Sequence, residues 1–220
     1  MMVGVTTHSP TYRLVVLDVD STLIENEVIE LLAARAGSLE LVSEVTARAM
    51  RGELDFAQSL RERVSTLSGL TVDDIAAVRA QVTVTAGVPE LIYGVHAAGG
   101  HVGVVSGGFH EVLDSLADEL CLDFWRANRL EILDGRLTGR VDGPIVDGQA
   151  KADALREWAA MLGVPLSETI AIGDGANDLG MMEIAGLSIA FDAKPVVAEK
   201  ADVALHERDL SVVLELMGLR

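Results

Sequence analysis

The apolar run Leu14–Leu17, followed at once by Asp18-Val19-Asp20, constrains the fold of this chain more than any other stretch. A continuous run of valine and leucine is typical of a strand buried on both faces, as in a parallel sheet. Buried carboxylates are costly without partners, so we expect the two aspartates just past the strand, where open α/β sheets bind ligands. Taken alone, an Asp-x-Asp-Ser-Thr run is better explained as a turn with a helix cap, because these residues favour caps.

Composition excludes several classes of protein. The chain has 220 residues, half of them hydrophobic, which is enough for one α/β domain with a sizeable insertion and argues against disorder. The formal net charge of −17 repels nucleic acids and anionic membranes, so we expect neither as a partner, and an anionic substrate would need local cations. The single cysteine, Cys121, excludes an intramolecular disulfide and a zinc–cysteine cluster.

Targeting signals are not evident in the sequence. The first ten residues lack the basic region and apolar core of a signal peptide, and no apolar run approaches the roughly 20 residues of a membrane span. We therefore expect a cytoplasmic protein. Residues 1–12 are polar and predict a loose arm. The sequence leaves the oligomeric state open, with a homodimer as one option.

Hydrophobic periodicity predicts an all-helical block after the first strand. The expected helices cover 27–36, 39–51 and 55–67, and a capping box at Thr71–Asp74 predicts the start of a fourth. We interpret residues 25–85 as a helical cap inserted into a core formed by 1–24 and 86–220. Because this cap would follow the aspartates directly, we expect it to act as a mobile lid.

The remainder of the chain alternates between strands and helices, which predicts an α/β fold with a Rossmann-like, doubly wound parallel sheet. Strands are expected at 13–17, 101–105, 169–172, 188–191 and 203–205, and helices at 89–98, 108–120, 151–162, 177–185, 196–200 and 210–217. Residues 123–146 alternate in polarity and contain two Asp-Gly turns, which predicts short β-strands.

A second candidate site follows the predicted strand 101–105, where Ser106 and two glycines lead into a helix. The hydroxyl of Ser106 and the amide of Gly107 can bind an anion, helped by the helix amino terminus. An ordinary strand-to-helix turn explains the same residues equally well.

Lys151 is a third candidate, and it is one of only three lysines in the chain. A lysine at the start of a helix is unfavourable in the helix dipole, which indicates a nearby anion. By residue type alone a solvated surface lysine is the better explanation. Only the position of Lys151 along the chain, relative to the other motifs, favours a contact between its ammonium and a phosphate.

A fourth candidate follows the predicted strand 169–172. Asp174 and Asp178 lie four residues apart around a glycine-rich turn, so both carboxylates can face one ion. Ligand sets made only of oxygen suit Mg²⁺. A polar loop explains this poorly, because two separate strands would then both end in paired aspartates by chance.

Together, in this order, the four motifs resemble the haloacid dehalogenase superfamily of phosphohydrolases. The resemblance covers the chain from residue 13 onward and is strongest with the members that hydrolyse O-phospho-L-serine in serine biosynthesis. Further matching segments are 26–27, Phe56, 59–64, 127–130 and 193–195. The resemblance implies an Mg²⁺-dependent phosphomonoesterase that forms an aspartyl phosphate and acts on a phosphorylated amino acid.

The resemblance also implies the role of each residue in the chemical step. Asp18 is expected to be the nucleophile, and Asp20 the general acid that later becomes the base. The implied Mg²⁺ ligands are Asp18, the backbone carbonyl of Asp20 and Asp174, with Asp178 in support. The implied phosphate-binding residues are Ser106, Gly107, Lys151 and Asn177.

The resemblance also implies that two residues of the cap select the substrate. Glu27 is expected to bind its ammonium group, and Arg63 its carboxylate, because a guanidinium binds carboxylate bidentately. Helical spacing places Arg61 on a different face, so we expect it to be solvated. A solvated helix face is a competing explanation for Glu27 and Arg63, and Phe56 fits either the cap core or a lid over the substrate.

Two alternative functions remain at this point. A phosphotransferase of the same fold would pass the phosphate from phosphoserine to another hydroxyl, such as that of homoserine. A receiver-like, non-catalytic phosphate sensor also uses an acidic cluster, a hydroxyl and a lysine, but it has no helical cap. Many bacterial relatives carry an amino-terminal regulatory domain, and we expect none here and hence no serine feedback. We assign no role to His110.

Overall fold

The structure is a computed structural model that describes residues 12–219. The arm predicted over residues 1–12 therefore lies outside the described residues, apart from Tyr12. No helix within 12–219 is both long enough and apolar enough to cross a bilayer.

Seven strands form one sheet. They are β1 (Leu14–Leu17), β2 (His101–Phe109), β3 (Phe124–Leu133), β4 (Arg136–Asp142), β5 (Thr169–Gly173), β6 (Leu187–Phe191) and β7 (Val203–Leu205). Their order is β4-β3-β2-β1-β5-β6-β7, and all neighbours are parallel except the β3–β4 hairpin at one edge. The predicted doubly wound parallel sheet is confirmed, and the predicted short strands of 123–146 are this hairpin.

Ten α-helices lie within the described residues. They are α1 (Val28–Ala36), α2 (Leu39–Met50), α3 (Phe56–Ser65), α4 (Val72–Arg79), α5 (Val88–Ala97), α6 (His110–Leu120), α7 (Gly148–Leu162), α8 (Leu179–Ile184), α9 (Pro195–Ala198) and α10 (Val213–Leu216). The capping box predicted at the start of α4 is confirmed, because Thr71 Oγ1 accepts from Asp74 N (3.1 Å) while Asp74 Oδ2 accepts from Thr71 N (3.0 Å).

The central strand β1 is fully buried on both faces, which explains its continuous apolar sequence. Val15 and Leu17 pack into a cluster with residues of α5 and α6, whereas Leu14 and Val16 pack into a second cluster with α7 and α8. Since helices cover both faces, polar residues of this strand are restricted to its ends. Asp18 follows directly at the carboxyl end.

Helices α1–α4 form a block that two adjacent segments of the chain connect to the rest of the protein. Glu25 N donates to Thr83 O (2.9 Å), Thr85 N donates to Leu23 O (3.0 Å), and Ile24 pairs with Val84 in antiparallel fashion. The two chain crossings therefore lie side by side. Helix α3 also packs against β4, so the hairpin supports the helical block from the other end.

Four predicted helix starts are wrong, one of them that of the helix predicted over 210–217, which begins with a 3₁₀ turn, Leu210–Val212, before α10. Helix α6 begins at His110 and not at residue 108, because β2 continues through Phe109 and pairs there with Asn128. Helix α7 begins at Gly148, because the Asp147 side chain accepts from Ala150 N (2.9 Å) and caps it. Lys151 therefore lies in the first turn of α7 and does not begin this helix. The helix predicted over 177–185 is a short 3₁₀ turn, Ala176–Asp178, followed by α8.

Candidate active site

The carboxyl ends of the three central strands β2, β1 and β5 meet at one edge of the sheet. An open cavity of about 390 Å³ lies between this edge and the helical block. From the sheet side, Asp18, Asp20, Gly107, Asp174 and Asn177 line it. From the helical block, Glu27, Phe56 and Arg63 line it. Ser106, Lys151 and Asp178 are buried just behind this wall.

Lys151 joins two carboxylates in the buried part of the site. Its Nζ lies 2.6 Å from Asp18 Oδ1 and 2.7 Å from Asp178 Oδ1, and all three side chains are almost completely buried. Burial by itself would lower the pKa of Lys151, but the two carboxylates outweigh it and raise this pKa. The ammonium therefore stays charged. The alternative explanation, in which Lys151 is a solvated surface lysine, is therefore excluded.

Asp18, Asp174 and Asp178 form an acidic cluster in which one carboxylate oxygen of each residue lies within 4.8 Å of one oxygen of each of the other two. One ammonium cannot neutralise three carboxylates. Burial, followed by the negative charge of Asp178, raises the pKa of Asp18 well above its usual value and that of Asp174 to about 6. A divalent cation fits this site, because it would supply the missing positive charge to a set of oxygen ligands.

Asp20 lies in an irregular turn between β1 and α1. Its Oδ1 accepts from Val28 N (3.3 Å), and Ser21, which has a positive φ of 59°, donates from Oγ to Glu27 Oε1 (2.8 Å). Burial and the neighbouring carboxylate of Glu27 raise the pKa of Asp20 to about 7. A carboxyl group with such a pKa can both hold and release a proton near neutral pH.

The predicted anion-binding turn is extended backbone at the end of β2. Ser106 Oγ accepts from Gly108 N (2.8 Å), which leaves its hydroxyl proton available for a ligand. A Cβ atom on Gly107 would lie 2.9 Å from Phe56 Cζ, so the ring of Phe56 lies directly over this peptide. Asn128, fully buried, donates to Gly107 O (2.8 Å) and fixes its orientation.

The two predicted selector residues face the cavity from different helices. Glu27 immediately precedes α1 without capping it through its side chain, and Arg63 on α3 is half-buried, with its Nε donating to Ser59 O (3.3 Å). Burial lowers the pKa of Arg63, but an arginine remains charged at any physiological pH. Arg61 is exposed and does not line the cavity, as expected from its spacing.

Part of the cavity wall was not predicted from the sequence. Thr46, Met50 and Leu54 line it from α2 and the segment after it, where the motifs match only loosely. Lys194 also lines it; the sequence signal was the segment 193–195, to which we attached no role. His110 has a structural explanation, because its ring bridges Asp114 Oδ1 (2.6 Å) and the amide of Ala127 (3.2 Å).

Comparison with known proteins agrees with the kind of site described above, a buried acidic cluster at the carboxyl ends of parallel strands. Residues 15–183 match the family model of haloacid dehalogenase-like hydrolases. The chain belongs to the haloacid dehalogenase-like hydrolase family.

Within that family, the chain is similar to phosphoserine phosphatases. It is 58% identical over 212 residues to the phosphoserine phosphatase of Streptomyces coelicolor, covering 96% of this chain and 52% of that protein. It is 51% identical over 204 residues to that of Streptococcus thermophilus, covering 93% and 95%. A solved phosphoserine phosphatase with a phospho-aspartyl intermediate analogue superimposes with a TM-score of 0.88 at 43% identity, covering 94% of this chain and 99% of that one. The chain spans about half the length of the Streptomyces relative.

Proposed function

We propose that this chain hydrolyses O-phospho-L-serine to L-serine and inorganic phosphate through an aspartyl-phosphate intermediate. The observation that carries the proposal is the buried Asp18–Lys151–Asp178 arrangement, with Asp20 beside it at the end of β1. The names of the similar proteins support the choice of substrate. The test is phosphate release from a panel of phosphomonoesters by the purified chain, with phosphoserine expected to be the best substrate.

In the first step of the proposed reaction, a carboxylate oxygen of Asp18 attacks the phosphorus atom. The bond from phosphorus to the serine oxygen breaks, and protonated Asp20 gives its proton to the departing alkoxide. Lys151, together with Ser106, the Gly107 amide and Asn177, would hold the phosphate oxygens. The raised pKa of Asp20, about 7, suits this acid role.

In the second step, a water molecule attacks the phosphorus of the aspartyl phosphate. Asp20, now ionised, takes the proton of that water, and the bond to the Asp18 oxygen breaks to release phosphate. A phosphotransferase would use an alcohol in place of water. Adding homoserine to the assay separates the two reactions, because transfer would lower phosphate release while serine release continues.

We propose Mg²⁺ as the divalent metal, held by Asp18, the backbone carbonyl of Asp20 and Asp174, with Asp178 in support. When bound, the ion would neutralise the acidic cluster and polarise the phosphoryl group.

Chelation of divalent metal is expected to abolish phosphate release, and added Mg²⁺ to restore it. Ca²⁺ is expected to inhibit, because it takes more oxygen ligands and would bind Asp18 bidentately, which hinders attack by that carboxylate. The measurement is steady-state phosphate release after dialysis against chelator, followed by titration of each metal. Full activity in excess chelator would contradict the metal requirement.

We further propose that residues 25–85, with helices α1–α4, act as a cap that opens for exchange and closes for chemistry. The paired crossings at residues 23–25 and 83–85 would serve as the hinge. Phe56 would close over the Gly107 peptide, consistent with its position in the structure. Closure would exclude bulk water from the aspartyl phosphate.

Replacing Arg63 with alanine is expected to reduce the use of phosphoserine far more than that of phosphoethanolamine, which lacks only the carboxylate. A charge-assisted contact of this kind contributes about 2–5 kcal/mol when it is desolvated. The measurement is kcat/KM for both substrates. Arg61→Ala is the matched control and should be close to neutral, because Arg61 is exposed. Equal losses on both substrates would disprove the selector role of Arg63.

A further inference from the structure

The charges around the cavity raise a question about how an anionic substrate enters it. Four carboxylates line the cavity, namely Asp18, Asp20, Glu27 and Asp174. The whole chain has a net charge of −17. A phosphomonoester dianion therefore approaches an acidic opening on an acidic protein, and such a potential slows association.

Lys151 does not attract the substrate at the opening, because its ammonium is already paired with two carboxylates. Its ammonium already donates to Asp18 and Asp178, and its side chain is 1% exposed. It can hold a phosphate that has reached the bottom of the site, but it presents little positive charge to a ligand still at the opening.

Two cationic side chains do line the cavity, and they lie on opposite walls. Arg63 belongs to the helical block, on α3, whereas Lys194 belongs to the sheet side, between β6 and α9. The Lys194 main chain is fixed next to the acidic cluster, because its N–H donates to Asp174 O (3.3 Å). Its side chain is exposed, and its positive charge acts on Asp174, where it opposes the rise in the pKa of that carboxyl group.

We propose that Lys194 is an additional substrate-binding residue, which attracts and contacts the phosphate group of the incoming substrate at the sheet side of the cavity. Arg63 would then face the carboxylate end of the same molecule from the other wall. This inference deepens the proposed function and rests on it for the identity of the substrate. The ligand group that Lys194 recognises is the phosphate alone.

The first test is steady-state kinetics of Lys194→Gln, which removes the charge and keeps most of the side-chain length. At an ionic strength of about 0.02 M, kcat/KM for phosphoserine should fall about three- to tenfold, mainly through KM. At about 0.5 M salt the loss should shrink, because exposed charges are then screened. Phosphoethanolamine should show the same loss, since it carries the same phosphate. Lys194→Arg should recover most of the affinity.

Lys200→Gln is the matched control, because Lys200 is an exposed lysine on the same segment that does not line the cavity. It should leave both kinetic constants unchanged. An unchanged KM in Lys194→Gln at low salt would overturn the proposal. A loss confined to kcat, or a loss reversed by excess Mg²⁺, would also overturn it. Either result would mean that Lys194 acts on Asp174 and the metal, and not on the phosphate of the substrate.

A binding measurement separates this inference from the proposed function. Calorimetric titration of the wild-type chain with inorganic phosphate, in the presence of Mg²⁺, needs no turnover. Lys194→Gln should weaken phosphate binding by a similar factor, and Lys200→Gln should not. If the wild type fails to hydrolyse phosphoserine, the proposed substrate is wrong, while this titration still decides the role of Lys194. Equal phosphate affinity in wild type and Lys194→Gln would refute that role.

Discussion

Asp18→Asn is expected to lower phosphate release from phosphoserine by about 10³-fold or more, because an amide cannot form the covalent intermediate. Asparagine has the shape of aspartate, and Lys151 keeps its contact with Asp178, so the fold should remain intact. The change also removes one of three mutually repelling carboxylates. The measurements are phosphate release and the midpoint of thermal unfolding, which should not fall.

Asp153→Asn provides the control for this variant. Asp153 is an exposed aspartate on α7 that pairs with Arg156 and does not line the cavity. It should retain full activity and near wild-type stability. Activity of Asp18→Asn within tenfold of the wild type would exclude Asp18 as the nucleophile, and with it the aspartyl phosphate.

Lys151→Met is expected to have the largest effect on stability. Methionine has a similar length but no charge, so Asp18 and Asp178 would be left buried without their cation. Removing one partner of a buried ion pair costs about 3–5 kcal/mol. For a chain of this size, that corresponds to a fall of roughly 6–20 °C in the unfolding midpoint. Activity should be lost as well, because the phosphate would lose its buried cation.

Thermal unfolding in metal-free buffer is the measurement for Lys151→Met, with the exposed Lys200 changed to methionine as control. Two additions should recover stability. Excess Mg²⁺ would supply positive charge to the same carboxylates, and the second change Asp178→Asn would remove one of them. If Lys151→Met unfolds at the wild-type midpoint in metal-free buffer, the buried charge cluster does not stabilise the fold as the structure implies.

Much of the fold was predictable from the sequence, because the signals concerned are local. A strand buried on both faces requires a continuous apolar run, and Leu14–Leu17 has one. The capping box at Thr71–Asp74 specifies a helix start within four residues. One error occurred where a tertiary contact overrides local preference, because pairing with Asn128 extends β2 through Phe109. Another was a missed local signal, because the Asp147 side chain caps α7 ahead of the predicted start at Lys151.

The sequence by itself determined which residues follow the ends of β1 and β5, since polar side chains after an apolar run buried on both faces lie at the edge of the sheet. Only the tertiary structure decided their partners. Lys151 contacts Asp18 across 133 residues of chain, and no pattern of spacing encodes a contact of that range. The exposed Lys194 and the buried Lys151 are indistinguishable by residue type. Burial and neighbouring charges separate the two lysines, and both depend on how β1, α7 and the segment before α9 pack together.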